Sequence, residues 1–222
     1  MKPMLITIDG PAGAGKTTVS RSLADRLGYT YVDTGALYRG VAHAALARGI
    51  ESDDDKRLKS LMEILDLRFK LLGSEPRLFL NGVDITDGIR TPEITMMASA
   101  VSARPVVRNA LFDLQRRLGD KKAAVFEGRD MGTVVFPDAD VKFFLFADIR
   151  SRAKRRYEEI KGKGDHTLEQ VEADMRVRDE NDSTRSVAPL VAADDAVRID
   201  STALGIDEVI DEMLTHVRLK AS

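Results

Sequence analysis

Gly10-Pro11-Ala12-Gly13-Ala14-Gly15-Lys16-Thr17 is the stretch that decides the reading of this chain. It satisfies G-x-x-x-x-G-K-[ST]. It follows the short apolar, β-branched run Met4 to Ile8, and it opens a segment, Lys16 to Leu27, with helical spacing at Val19, Leu23 and Leu27. A strand, a tight loop and a helix are expected in that order. The small residues have a chemical reason. Backbone N–H groups that converge on phosphate oxygens need a loop without bulk and tolerant of positive φ, which Gly10, Gly13 and Gly15 supply. The helix N-terminus adds partial positive charge. Lys16 is expected to reach the β- and γ-phosphates of a nucleoside triphosphate, and the Thr17 hydroxyl to ligate Mg²⁺. The expected ATP-binding residues are Gly10, Pro11, Ala12, Gly13, Ala14, Gly15, Lys16, Thr17 and Thr18.

Working outward, Gly28 fits a helix C-cap, Tyr29 to Val32 a second strand, and Leu37 to Leu46 a second helix ending near Gly49. This β-α-β-α rhythm implies an α/β fold, a parallel sheet covered by helices on both faces. The rhythm breaks after Asp53 to Asp55, which reads as a solvated turn without the spacing of a calcium loop. Asp66 to Leu72 and Arg77 to Leu80 alternate polar and apolar residues, and Asn81-Gly82 before Val83 to Ile85 is a strong hairpin signal. Residues 59–100 are therefore expected to form a small insertion with an antiparallel sheet. Residues 1–58 and 101–222 would form the parallel core. In that core, Val106 to Leu118 is helical in pattern, Ala123 to Phe126 and Val141 to Phe146 have the form of buried strands, and Ala196 to Ile199 and Asp207 to Leu219 supply a last strand and helix. The basic run Arg150 to Lys163, punctuated by Gly162 and Gly164, reads as a surface flap, a lid at about residues 152–168, before the charged helix expected over Thr167 to Asn181.

Composition narrows the function classes. The chain has 222 residues, 43% of them hydrophobic, with 34 basic residues against 36 acidic and a formal net charge of −2. That balance argues against binding of nucleic acid polymers, which shows as a strongly basic domain. The absence of cysteine excludes disulfides, thiolate metal sites and a Cys nucleophile. The three histidines, His43, His166 and His216, lack metal-ligand spacing. The start, MKPMLITIDG, has too short an apolar run for a signal peptide, and no window approaches the roughly 18 apolar residues of a membrane span. A cytoplasmic location without membrane association is expected. A monomer is expected too, because no long heptad pattern or apolar stripe argues for assembly.

Glycine-rich loops of this type serve GTPases, motor ATPases and kinases alike. No N-K-x-D segment for reading guanine occurs. The arginines favour transfer between two anionic substrates, which needs several cations to hold donor and acceptor in line. Three clusters stand at expected strand ends or in the charged helix: Asp33-Thr-Gly-Ala-Leu-Tyr-Arg39, Glu127-Gly-Arg129-Asp130-Met-Gly-Thr133, and Arg176-Val-Arg178-Asp-Glu-Asn-Asp182-Ser-Thr-Arg185. On helical spacing alone, Arg176 and Arg178 read equally as a solvated face, and Arg152, Arg155 and Arg156 as either lid or solvent-facing residues.

In ITIDGPAGAGKTT, VDTGALYR, GIRTPE, EGRDMGTVVFPDA and RDENDSTRSVAPL, spread over nearly the whole chain, the sequence resembles the bacterial cytidylate kinases, a branch of the nucleoside monophosphate kinases. The resemblance implies a P-loop core, a short lid, an acceptor-binding insertion with a small antiparallel sheet, and transfer of the γ-phosphoryl group of ATP to CMP or dCMP with Mg²⁺. It implies that Lys16, Arg129 and Arg185 act in catalysis. Thr34 would stand beside the acceptor phosphate, with Arg39, Arg129 and Arg185 around it. Ser99, Arg108 and Asp130 would face the cytosine, and Arg178 and Asp182 would lie near the sugar. A carboxylate opposite the cytosine N4 amino group is complementary, whereas uracil offers a carbonyl oxygen there. The chain departs from the common family pattern at Thr34, where Ser is frequent, and at Glu127, where Asp is frequent. The first keeps a hydroxyl and the second a carboxylate. Other small acceptors, AMP or UMP among them, and a nucleotide-dependent protein switch share the loop and would be separated by an acceptor panel.

Overall fold

In the computed structural model, which describes residues 2–73, 75–162 and 165–221, the apolar run that precedes the glycine-rich loop becomes β1 (Leu5–Asp9), buried along its whole length. A strand buried on both faces belongs in a parallel sheet clad by helices. β1 pairs in parallel with β6 (Ala124–Glu127) on one side and β7 (Val141–Phe146) on the other. β8 (Val197–Asp200) continues the sheet beyond β7 and β2 (Thr30–Asp33) lies beyond β6, giving the order β2-β6-β1-β7-β8. The loop at residues 10–15 leads into α1 (Lys16–Leu27), which ends at Gly28 with φ 67°, as the sequence leads one to expect.

The chain divides into two units, one of residues Met1–Tyr31 and Lys121–Ser222, the other of Val32–Asp120. The core of the first joins Ile6, Ile8, Val125, Phe143 and Leu145 of the sheet to Val19 and Leu23 of α1. Val209, Ile210, Met213 and Val217 of α8 (Ile206–Ala221) complete it. Burying each such side chain is worth roughly 1.5–3 kcal/mol. The same unit contains α6 (Ile149–Ile160) and α7 (Leu168–Thr184). A five-residue π-helical turn, Met131–Val135, follows β6, and in it Phe136 N–H bonds to Met131 O and Val135 N–H to Asp130 O.

In the second unit α2 (Thr34–Leu46) starts three residues earlier than its apolar spacing suggests, because the Asp33 carboxylate caps it by accepting from Ala36 N. The antiparallel sheet is present: β3 (Leu67–Leu72), β4 (Glu75–Leu80) and β5 (Val83–Asp84) pair in that order. Asn81 and Gly82, with φ 48° and 84°, make the two-residue turn that joins β4 and β5. Gly40 of α2 faces this sheet at a spot where a Cβ would come within 2.8 Å of Leu67 Cδ2.

Two helices were not anticipated. α3 (Asp55–Ile64) begins inside the acidic stretch read as a solvated turn: Asp54 caps it by accepting from Arg57 N, and Asp55 pairs with Arg104 at 2.7 Å. α4 (Pro92–Ser102) is capped by Thr91, carries Pro92 in its first turn, and buries Ile94, Ala98, Val101 and Ser102. α5 (Pro105–Gly119) follows it. Among the described residues no helix is long and apolar enough to cross a membrane.

Candidate active site

The first unit carries the loop and most of the arginines. Gly10, Gly13 and Gly15 have φ of 143°, 73° and 90°, the region that side chains disfavour. Lys16 is buried and its Nζ donates to Pro11 O at 2.7 Å, while Thr17 Oγ1, in the first turn of α1, donates to Glu127 Oε1 at the end of β6 at 2.9 Å. Burial, and after it the nearby Arg129, push the Lys16 ammonium well below the usual lysine range, with Glu127 and Asp9 only partly offsetting them. Burial is the larger cause, and an anion held against the Lys16 ammonium would favour its charged form.

The segment after β6 and the C-terminal part of α7 bring further charges together. Arg129 Nε donates to Asp182 Oδ2 at 2.9 Å and Arg178 Nε stands 4.0 Å from the same oxygen. Burial alone would raise the Asp182 carboxyl, but Arg129, Arg178 and Arg185 hold it below the usual carboxylate range. Arg185 donates from Nε to Ala188 O and pairs through NH2 with Asp130 Oδ1 at 3.4 Å, both side chains being buried. Planar guanidinium forks fixed in this way present their remaining N–H groups in set directions, the geometry that suits phosphate oxygens.

In the second unit, Asp33 Oδ2 accepts from Arg39 at 2.7 Å and from Arg90 at 3.2 Å, and the two arginines outweigh burial to keep its carboxyl low. Thr34 is buried beside it. Arg108, also buried, donates to Ser102 O at 3.1 Å and lies 5.7 Å from the Tyr38 ring centroid, while the Ser102 hydroxyl donates to Ser99 O. Thus Thr34 opens α2 and Arg39, further along it, bonds back to the cap Asp33, while Ser99 and Arg108 are linked through Ser102.

Other expectations fare variously. Arg176 is an exposed partner of Glu172, i,i+4 on α7, which is the solvated reading. Arg152 is buried, donating to Ala12 O and Asp179, so it braces the loop. Arg155 donates to Ser201 Oγ at 3.1 Å and Arg156 pairs with Glu159. Part of the expected lid, Lys163 and Gly164, lies outside the described residues. Sequence reasoning passed over Asp9, whose carboxylate accepts from Met131 N and Gly132 N, and Arg90, although GIRTPE contains it. The signal for Asp9 was faint, a lone acid ending an apolar strand.

A glycine-lined loop around a buried lysine, at the head of a parallel α/β sheet with paired arginines and carboxylates, defines a P-loop phosphotransferase. A crystal structure of a gluconokinase from Sinorhizobium meliloti 1021 shares this fold with a TM-score of 0.52 at 16% identity, covering 99% of this chain and 94% of that one. The family model described as cytidylate kinase matches residues 6–219, and the chain belongs to that family. Among its relatives, a cytidylate kinase of Geobacter sulfurreducens is 51% identical over 216 residues, 97% of this chain and 93% of its own length. One of Syntrophotalea carbinolica is 50% identical over 217 residues, covering 97% and 92%.

Proposed function

We propose that the protein transfers the γ-phosphoryl group of ATP to CMP or dCMP, giving ADP and CDP or dCDP. Family membership over residues 6–219 supports the acceptor, and the buried Lys16 in its glycine-lined loop supports the donor. That lysine is the observation that carries the reading, because it is buried at the N-terminus of α1 behind a loop whose glycines take positive φ, the arrangement that binds phosphate oxygens.

The loop of residues 10–18, through the backbone N–H groups of all its residues but Pro11, and the Lys16 side chain hold the triphosphate. Arg129 and Arg185, oriented by Asp182 and Asp130, stabilise charge spread over the transferred group. The acceptor phosphate oxygen is already anionic, so no base is needed to activate it. Thr34 and Arg39 serve as further acceptor-phosphate ligands, Ser99, Arg108 and Asp130 read the cytosine, and Arg178 and Asp182 serve the sugar. Residues 59–100 act as an acceptor-binding insertion and about 152–168 as a lid. Mg²⁺ fits the Thr17 hydroxyl beside the Glu127 carboxylate, 2.9 Å apart, since both are hard oxygen donors. When bound, it neutralises charge between the phosphates. The protein acts as a cytoplasmic monomer.

An acceptor panel scored by ADP release tests the reading: CMP and dCMP turn over well, UMP and AMP poorly. Asp130→Ala raises the KM for CMP by on the order of tenfold and narrows the preference over UMP, because a hydrogen bond to a charged group is lost. Equal use of UMP and CMP by the unaltered enzyme would sink the acceptor assignment. An unchanged preference in the variant would sink the role of Asp130.

A further inference from the structure

Asp9 ends β1 with its side chain buried, directly before the phosphate loop, yet it is not spent on that loop. Its Oδ1 accepts from Met131 N at 2.9 Å and its Oδ2 from Gly132 N at 2.7 Å, so both oxygens grip two consecutive N–H groups of the π-helical turn. Both are orphan donors of a helical start, and the second, at Gly132, is one that the residue before the helix ordinarily satisfies with its own side chain. Here that residue is Asp130, with φ −143° and ψ 23°, and its side chain makes no capping bond. The capping duty has passed to a strand 121 positions earlier, and the Asp130 carboxylate is turned to Arg185 instead.

The packing under the turn is equally tight. A Cβ on Gly132 would come within 3.0 Å of Thr7 Oγ1, 3.2 Å of Lys142 Cδ and 3.4 Å of Asp9 Oδ2. A side chain at this position would have to displace a neighbour, or the turn itself, by a few tenths of an ångström. Lys142, itself buried, is held by Pro137 O at 2.6 Å and Asp195 at 2.9 Å, which leaves that neighbour little room to give.

We infer that Asp9 is a positioning residue for acceptor specificity: by capping the 131–132 turn in place of Asp130, it sets where the Asp130 carboxylate stands and leaves that carboxylate to read the acceptor base. This rests on the proposed reading of cytosine by Asp130. Asn at position 9 keeps one acceptor oxygen but places an amide NH₂ against the second N–H group, so two donors face each other and the turn must shift. A shift well under 1 Å is enough to spoil a hydrogen bond aimed at one exocyclic group.

Asp9 also stands near Lys16, whose charge acts on its carboxyl, so replacing it will alter the donor side as well. The readout that separates the two is the ratio of kcat/KM for CMP to that for UMP. ATP is common to both reactions, and anything Asp9 does to Lys16 or to general stability cancels in the ratio. Asp9→Asn is expected to lower this ratio by about tenfold. Gly132→Ala, which leaves Asp9 intact but pushes the same turn away from Thr7, is expected to lower it in the same sense. In an Asp130→Ala background, Asp9→Asn should change the ratio by less than about twofold, since the group it positions is gone. A folded Asp9→Asn enzyme with the unaltered ratio, alongside an Asp130→Ala enzyme whose ratio has fallen, overturns the inference and leaves the cytosine reading standing. If Asp130→Ala itself keeps the ratio, the cytosine reading fails and the inference fails with it. Should Asp9→Asn not fold, the ratio for Gly132→Ala decides, a fall supporting the inference and no change overturning it.

Discussion

At Gly10 a single hydrogen atom separates function from collision. A Cβ there would lie 1.9 Å from Leu145 O, a backbone atom of the central sheet that has nowhere to go. At Gly15 nothing lies within 4 Å, and the only obstacle to a side chain is a φ of 90°. The two glycines of one motif therefore answer to different forces. Gly10→Ala must move the loop by an ångström or more, and its kcat/KM for ATP should fall on the order of 100-fold. Gly15→Ala should lose much less, since backbone strain of this kind costs about 1 kcal/mol. Steady-state kinetics over a range of ATP concentrations checks this, and equal losses in the two variants would count against the packing argument. The motif was fully legible as a string. Its unequal demands were not, because Leu145 belongs to a strand more than a hundred residues away.

Among the elements, α7 shows how stability and site chemistry are carried by one helix yet separable. Thr167 and Gln170 form a reciprocal capping box at its start, and Asp182 near its end binds Arg129. Thr167→Ala should cost about 1 kcal/mol, lowering Tm by roughly 2–4 °C in a protein of this size. The CMP to UMP ratio should stay as it is, because the cap lies four turns from Asp182. Thermal unfolding followed by circular dichroism, with the acceptor panel beside it, reads both. α7 was visible in the sequence as a long charged helix, whereas α3 and α4 were not. Their caps, Asp54 and Thr91-Pro92, are present in the sequence, but acidic and Pro-containing turns look the same until Leu58, Leu61, Ile94 and Ala98 find a core to face.

For the whole molecule, the carboxylates set a pH dependence with two opposed parts. Asp182 and Asp33 overcome burial through their arginines and titrate below the free value. Their contribution is present above that value and is lost as the pH falls through the folded ones. Asp9 runs the other way. Burial, opposed by its two backbone bonds and increased by Asp130, raises it from 3.8 to about 6. What it contributes is fully present below 3.8 and is lost as the pH rises through about 6. The stability advantage of the unaltered protein over Asp9→Asn should therefore shrink between pH 4 and pH 7, by on the order of 3 kcal/mol. Urea midpoints at both pH values measure it, and a gap constant with pH would exclude the titration of Asp9 as its source.

From the chain alone came the features whose physics is local. Gly10 to Thr17 demands a strand before it and a helix after it, Asn81-Gly82 demands a hairpin, and the short, mostly apolar runs at β1, β6 and β7 favour a parallel sheet. These are matters of φ, of period and of burial on two faces, and each is written in fewer than ten consecutive residues. Tertiary structure alone decided which charges meet: Thr17 with Glu127, Arg129 with Asp182, Arg185 with Asp130, and Asp9 with the turn at Met131 and Gly132. Every one of these pairs joins segments more than 50 residues apart. A carboxylate at a strand end has no periodicity to announce its partner, so its choice is made only when the sheet order brings one strand beside another.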